Sequence, residues 1–274
     1  AASNIMVADF DVEFIEREMD LWIAGILTDN WETVTRQSRS PDFDIDDALT
    51  EVLTGVGGTA ASVARVLRSV EYHAAPQAWE DDDRERLAEA FRRETKPIVV
   101  VANKADIAPA ENIEALREAA SGPVVPCTAD GELALRNGAE AGVVDYDPGD
   151  EDFEILGDLS DAQAEGLEQI RDVMAEHGGT GVQQSINVAV YDLLDRITVY
   201  PVQNETKWTD GTGTMLPDAF LLRDGAGPKD LAYAVHSDIG DGYLHAVDAR
   251  ETRRIGEDAE LEEGDVIKIV STAS

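Results

Sequence analysis

The spacing of hydrophobic positions changes along the chain and divides the sequence into four segments. In residues 1–93, apolar side chains recur every three or four positions, as they do on one face of an α-helix. One such face comprises Val12, Ile15, Met19, Trp22, Ile23, Ile26 and Leu27, and another comprises Val63, Val66, Leu67 and Val70. We therefore predict a helical region over 1–93, interrupted at Pro41 and Pro76.

The second segment, residues 94–150, has the pattern of an α/β sheet. Residues 98–102 are a continuous apolar run rich in β-branched side chains, which is typical of a strand buried on both faces of a parallel sheet. A helical stretch over 112–120 leads to a second apolar run over 124–129. Because ligands bind at the carboxyl ends of parallel strands, we expect the polar residues that end both runs to form one site.

The polar residues after the first run suit recognition of guanine. Guanine presents its N1 hydrogen and its 2-amino group side by side, and one carboxylate, that of Asp106, can accept both hydrogen bonds. Adenine has no 2-amino group and would leave the carboxylate unpaired. Asn103 is expected to brace the loop and the stem of Lys104 to cover the ring face. The alternative is a simple strand-to-helix turn in which Asp106 caps the next helix.

The residues after the second run complete the predicted base site. The backbone N–H of Ala129 is placed to meet the guanine carbonyl oxygen, and Thr128 to hold the turn. The candidate nucleotide-binding residues are thus Asn103, Lys104, Asp106, Thr128 and Ala129. No catalytic residue is assigned, since no nucleophile and base can be singled out among so many acidic side chains.

The last two segments are predicted to be a helical stretch and a small independent domain. Residues 151–197 carry apolar stripes, among them Met174 and Tyr191, that we expect to pack on the preceding sheet. Residues 198–274 follow the order strand, strand, helix, strand, strand, which is that of a β-grasp module.

Two groups of motifs resemble known families. Asn103-Lys104-Ala105-Asp106 with Cys127-Thr128-Ala129 resembles the base-specificity motifs of TRAFAC-class GTPases, although the family's usual Ser-Ala pair is Thr128-Ala129 here. Residues 131–136 resemble the archaeal branch of the Obg-like, or YchF-type, translation-associated GTPases. Residues 227–233, 238–242, 254–256 and 261–267 resemble the TGS domain.

The resemblance implies a fold and a set of ligands. The fold would be α/β: a partial P-loop GTPase sheet with a helical, coiled-coil-like insertion, followed by an α+β β-grasp (TGS) domain. The ligand would be GTP, with Mg²⁺ only in a full-length parent, and the TGS domain would contact the ribosome or RNA. The alternative is a non-catalytic RNA-binding or ribosome-binding TGS module with a vestigial nucleotide pocket.

The charge balance narrows the possible partners. With 57 acidic and 22 basic residues the formal net charge is −35, which excludes a broadly basic nucleic-acid clamp and favours a halophilic, hydrated surface. Any RNA contact must be local, and Arg250, Arg253, Arg254 and Lys268 are the candidates. Solvated strand faces are the alternative interpretation of these four cations.

Missing motifs limit the expected chemistry. The 274 residues contain no Gly-x-x-x-x-Gly-Lys-Ser/Thr, no Gly-Lys dipeptide and no Asp-x-x-Gly in a GTPase-like setting, so we expect no GTP hydrolysis by this chain alone and interpret it as the carboxyl-terminal two-thirds of a GTPase. The lone cysteine, Cys127, and four scattered histidines lack metal-ligand spacing. The sequence predicts a cytoplasmic protein with no membrane segment, and it does not indicate an oligomeric state.

Overall fold

The computed structural model describes residues 2–70 and 75–272, with side chains from residue 12 onward. The chain divides into two compact units, Ala1–Ile186 and Asn187–Ser274. The mixed helical and sheet architecture confirms the predicted fold class.

The first unit begins with a helical bundle, as the hydrophobic spacing predicts. Its helices are α1 (Ala2–Gln37), α2 (Ile45–Leu53), α3 (Ala60–Ser69) and α4 (Asp81–Thr95), with short 3₁₀ turns at Thr54–Val56 and Pro76–Ala78. Asp44 caps α2, and Thr59 caps α3 in a reciprocal pair with Ser62. The core joins all four helices and includes Ile23, Leu27, Leu49, Val63, Leu87 and Phe91.

The predicted apolar face of α1 is only partly buried. Ile23 and Leu27 are fully buried, whereas Ile15 and Trp22 are exposed, Trp22 by 55 %. Trp22 is seven positions after Ile15, so both lie on one side of the helix, while Ile23 is turned about 100° away toward the core. The face predicted from the sequence therefore combines residues of two neighbouring faces of α1, and only one of these faces is buried.

A buried ion cluster fixes the bundle to the α/β part. The Arg92 side chain is 2 % exposed. Its Nε donates to Asp20 Oδ1 at 2.6 Å, and its terminal nitrogen lies 3.5 Å from Glu16 Oε2. Glu16 also accepts from the Ser121 N–H at 3.1 Å. Because a buried cation without partners is strongly unfavourable, these carboxylates hold α1 against α4 and against the segment preceding the second strand.

The α/β part of the first unit is built on two parallel strands, β1 (Val100–Asn103) and β2 (Val124–Cys127), in the register Val100 to Val124. The helices around them are α5 (Ala110–Ala119), α6 (Ala129–Glu140), α7 (Asp161–His177) and α8 (Val182–Asn187), and a second, antiparallel pair comprises β3 (Val144–Asp145) and β4 (Glu154–Ile155). The prediction of a first strand buried on both faces is wrong: Val101 is 43 % exposed. Within the described residues β1 pairs only with β2, so its other edge has no partner strand.

The second unit is a five-stranded sheet in the order β6-β5-β9-β7-β8. After a π-helical turn at Val188–Leu193 come β5 (Arg196–Val202), β6 (Phe220–Arg223), α9 (Pro228–Val235), α10 (Ser237–Asp241), β7 (Tyr243–Asp248), β8 (Arg253–Ile255) and β9 (Asp265–Ser271). Leu231 of α9 packs on Val199, Ala246 and Ile267 in the core.

Two details of this region differ from the sequence expectation. The short strand β8 was not predicted, because its residues are charged and show no apolar alternation; a charged edge strand resists pairing with other chains. Tyr191, expected in the core, is exposed, and its hydroxyl lies 2.8 Å from Thr198 Oγ1. The π-helical turn explains the difference, because its wider spacing moves residues off the stripe that an α-helix would form.

Candidate functional site

The two loops that follow β1 and β2 are joined by hydrogen bonds. Asn103 Oδ1 accepts from the Lys104 N–H at 2.8 Å and from the Ala129 N–H at 3.1 Å. The Ala105 N–H donates to the Cys127 carbonyl at 3.0 Å. Parallel pairing places Asn103 beside Cys127, so the carboxyl ends of both strands meet at one edge.

Lys104 reverses the chain at the end of β1. Its φ of +68° is in the left-handed region, which is unfavourable for a residue with a side chain. The Lys104 carbonyl accepts from the N–H groups of Ile107 at 3.1 Å and Ala108 at 3.0 Å, and these bonds hold the turn. Backbone strain of this kind concentrates at functional sites.

Asp106 and Lys104 present charged groups without internal partners. Both side chains are exposed, and neither forms a hydrogen bond or ion pair with any residue that the structure describes. The N-cap of α5 is Pro109, with no side-chain capping bond, so Asp106 does not cap that helix. The structure therefore contradicts the simple capping role that the sequence left open for Asp106.

The surroundings of Asp106 are acidic. With Ala105 and Ile113 it lines a cleft of about 280 Å³ whose other wall is α7, including Asp172, Glu176 and His177. A wall of carboxylates attracts groups that carry N–H donors and repels phosphates. The cleft thus suits the donor edge of a base better than a phosphate chain.

Thr128 and Ala129 play different parts in the second loop. Thr128 is fully buried and caps α6, with Oγ1 accepting from the Gly131 N–H at 3.2 Å. Its own N–H donates to the Thr180 carbonyl at 2.8 Å. Ala129 is exposed, and its N–H donates to Asn103, so a guanine oxygen would have to share or take over that donor.

Sequence reasoning missed the side chains that support this loop. The carboxylate of Glu132, buried on α6, accepts at 2.6 Å from each of Tyr146, Thr180 and Arg136. Burial alone would raise the pKa of Glu132, but the hydrogen bonds from these three partners lower it below its usual value. Spacing gave one signal: Glu132 precedes the fully buried Leu135 by three positions and so shares its inward face.

The four cations proposed for RNA contact differ in how many contacts they make within the protein. Arg250 donates to the Gly264 carbonyl at 2.7 and 3.2 Å and lies 5.4 Å from the Trp208 ring centroid. Lys268 pairs with Glu205 at 2.6 Å. Arg253 and Arg254 are exposed neighbours on β8, so their side chains leave opposite faces of the strand.

Two further properties of the described residues bear on ligands. Across the described ranges, no group of three or more His, Cys, Asp or Glu side chains is arranged to hold a metal ion; His73 lies outside those ranges. None of the helices in the described part of the chain is long and apolar enough to cross a membrane.

Comparison with known proteins matches both units to family models. Residues 101–204 match the Obg-like GTPase YGR210-like, G4 motif-containing domain, and residues 212–271 match the TGS domain. A crystal structure of a GTP-binding protein from Pyrococcus horikoshii OT3 superposes with a TM-score of 0.77 at 38 % identity, over 96 % of this chain and 71 % of the other. The YchF GTPase of Schizosaccharomyces pombe, at 12 % identity and a TM-score of 0.50, covers 96 % of this chain and 66 % of its own and shares the fold.

These matches define a GTP-binding protein with a TGS domain. An uncharacterized GTP-binding protein of Methanocaldococcus jannaschii is 39 % identical over 96 % of this chain and 67 % of its own length. Another from Schizosaccharomyces pombe is 28 % identical over 78 % of this chain, which spans 55 % of that relative. The chain belongs to the Obg-like, YGR210-like family of GTP-binding proteins.

Proposed function

We propose that this chain recognises the guanine base of GTP through Asp106, assisted by Asn103, Lys104, Thr128 and Ala129. The observation that carries the proposal is the unpaired Asp106 carboxylate on a strained loop that is hydrogen bonded to the 127–129 turn. An exposed charge without partners costs little in stability, and its place at the edge of a parallel pair suits a ligand.

Each of the five residues has a separate proposed role in binding the base. Asp106 accepts from guanine N1–H and the 2-amino group, while Lys104 covers the ring with its stem. The Ala129 N–H meets the carbonyl oxygen, sharing its hydrogen bond to Asn103. Asn103 and Thr128 position the two loops rather than select the base. Adenine would lose both bonds to Asp106 and place its N1 lone pair against the carboxylate.

The phosphate end of the nucleotide has no comparable support in these 274 residues. They hold no phosphate-loop motif, and the cleft beside Asp106 is acidic. GTP hydrolysis depends on a phosphate loop, its lysine and Mg²⁺. We therefore propose base recognition without hydrolysis for this chain, with Mg²⁺ held only in a longer protein that also carries a phosphate loop.

Nucleotide titration tests the proposal. We expect GTP to bind with a Kd of about 1 mM, or roughly 4 kcal/mol, because base contacts alone are made. ATP should bind at least about tenfold more weakly, since it loses the paired hydrogen bonds. Amide chemical shifts in concentrated KCl report both affinities and show whether the 103–106 and 127–129 loops respond. Equal affinity for GTP and ATP would overturn the role of Asp106.

A second candidate function concerns the second unit. Its match to the TGS domain supports a contact with ribosomal or other RNA. Of the four candidate cations, Arg254 and Arg253 are the least engaged, since Arg253 forms only an exposed ion pair with Glu251. The proposed setting is translation in the cytoplasm of a salt-adapted cell. Co-sedimentation with ribosomes tests this: binding should weaken in the Arg253→Ala/Arg254→Ala double variant, and no binding by the unsubstituted chain contradicts it.

The proposed domain limits follow from these roles. Residues 1–93 form the helical insertion, 94–150 the part with the base-binding motifs, 151–197 a helical segment packing on it, and 198–274 the TGS domain. The limits at 93/94 and 197/198 fall inside α4 and β5, so limited proteolysis should cleave beside these elements and in the loop around residue 150, where few contacts cross.

A further inference from the structure

A buried carboxylate lies directly behind the proposed base-binding turn. Glu132 is 4 % exposed, and its two oxygens accept from Arg136, Tyr146 and Thr180, each at 2.6 Å. Hydrogen bonds to a charged group are stronger than those between neutral groups. Such a fully paired carboxylate in the interior fixes the positions of the side chains that donate to it.

One of those donors belongs to a segment that contacts the turn itself. Thr180 follows α7, and its carbonyl accepts the Thr128 N–H at 2.8 Å. The next residue, Gly181, has a φ of +84°, and a Cβ there would lie 1.9 Å from the Pro126 carbonyl oxygen. The chain after α7 therefore runs against the end of β2 with no space for a side chain.

These contacts form a continuous path from Glu132 to the base-binding turn. The Glu132 carboxylate holds the Thr180 hydroxyl, and the Thr180 carbonyl holds the Thr128 N–H. Thr128 in turn caps α6, on which Glu132 itself stands, so the path closes on itself. The neighbouring Ala129 N–H, which is the proposed donor to the base, has its direction set by this closed arrangement.

We propose that Glu132 is a positioning residue for guanine recognition, acting through Thr180 to hold the Thr128–Ala129 turn in its binding conformation. The inference rests on the proposed function, because it concerns the same site. The proposed role is indirect, because Glu132 is buried beneath the turn and its carboxylate is hydrogen bonded to three protein groups.

Hydrogen exchange on the full chain tests the positioning role without any ligand. Thr180→Val keeps the shape of the side chain and the backbone carbonyl but removes the hydroxyl donor to Glu132. We expect exchange of the Thr128 and Ala129 amides to accelerate by about tenfold or more, while the amide of Val125 in β2 changes little. Glu132→Gln, which keeps an acceptor oxygen, should give a smaller effect than Glu132→Ala.

A matched variant separates positioning from general loss of stability. Asp152→Asn removes an ion pair to Arg171 on α7, at 3.0 Å, in the same unit but outside this path. It should leave the Thr128 and Ala129 amides unchanged. Unchanged exchange in Thr180→Val, or an equal acceleration of all amides in the unit, would overturn the inference.

Nucleotide titration of the same variants distinguishes the two proposals. If both hold, the Kd for GTP rises about fivefold in Thr180→Val and stays constant in Asp152→Asn. If the unsubstituted chain binds no GTP but the two amides still lose protection selectively, the proposed function fails, while the inference that Glu132 holds the Thr128–Ala129 turn stands. If GTP binds equally to all variants, the positioning role fails and the base site stands.

Discussion

The two loops that end β1 and β2 use their polar groups in opposite ways. The loop at residues 103–108 leaves the charged ends of Lys104 and Asp106 unpaired and holds Lys104 in a strained conformation. In the segment at residues 127–132, the side chains of Thr128 and Glu132 are instead buried and hydrogen bonded within the protein. Under the proposed function, the first loop contacts the base with its side chains, whereas the second supplies one backbone N–H and holds the first in place.

Substitution in the buried network should give the largest change in stability. Tyr146→Phe removes one of the three donors to Glu132 and should lower the free energy of unfolding by about 2 kcal/mol at neutral pH, because the carboxylate stays buried with one bond fewer. Urea unfolding in concentrated KCl measures this change. Tyr191→Phe is the control, since it removes a hydroxyl that is hydrogen bonded to the neutral Thr198 hydroxyl and not to a buried carboxylate.

Tyr146 should also make the free energy of unfolding fall at alkaline pH. Burial and then the hydrogen bond to Glu132 raise the pKa of Tyr146 to about 12 from 10.0. The folded state therefore favours the neutral phenol, and its contribution to stability is complete below pH 10 and lost as the pH rises toward 12. The loss should be shallower in Tyr146→Phe; an identical alkaline profile in both proteins would contradict the buried network.

In the second unit, two arginines with different contacts should differ in their contribution to stability, and the expected change is of intermediate size. Arg250→Ala removes two bonds to the Gly264 carbonyl and the contact with Trp208, and should cost about 1 kcal/mol. Arg253→Ala removes only an exposed pair with Glu251 and should cost less than about 0.5 kcal/mol. Exchange of β9 amides measures both, and equal effects would show that the two arginines are not used differently.

The smallest stability change is expected at Lys104, where an unfavourable backbone conformation is kept at a residue proposed to contact the ligand. Lys104→Gly relieves the left-handed conformation but gives the unfolded chain more freedom, so the free energy of unfolding should rise by no more than about 0.5 kcal/mol. GTP affinity should fall, because the side-chain stem is lost. A variant that is less stable would indicate that the Lys104 side chain supports the fold instead of the ligand.

Much of this arrangement is predictable because it depends on local patterns. The β-branched runs before Asn103 and Cys127 indicated two strands, although not the exposed face of the first, and a proline at position 228 with Leu231 three residues later indicated α9. Parallel pairing then implied that the two polar loops meet at one edge, as the bond between Asn103 and the Ala129 N–H confirms.

The rest depends on contacts between distant positions. Glu132 and Thr180 are 48 residues apart, and no local pattern indicates that one bonds the other. The exposure of Val101 reflects which elements cover that face of β1, which the composition of one strand does not specify. The sequence identifies Arg250 and Lys268 as cations. It does not show that Arg250 bonds the Gly264 carbonyl or that Lys268 pairs with Glu205, because these contacts follow from the register of the sheet.

The central claim is that the free carboxylate of Asp106 selects the base. Asparagine at this position keeps an acceptor for N1–H and offers an N–H to a carbonyl at position 2, which xanthine has and guanine lacks. Titration of the Asp106→Asn variant with GTP and xanthosine triphosphate tests the claim most directly. We predict that the ratio of the two affinities shifts toward xanthine by about tenfold or more, or roughly 1.4 kcal/mol; an unchanged preference for GTP would contradict it.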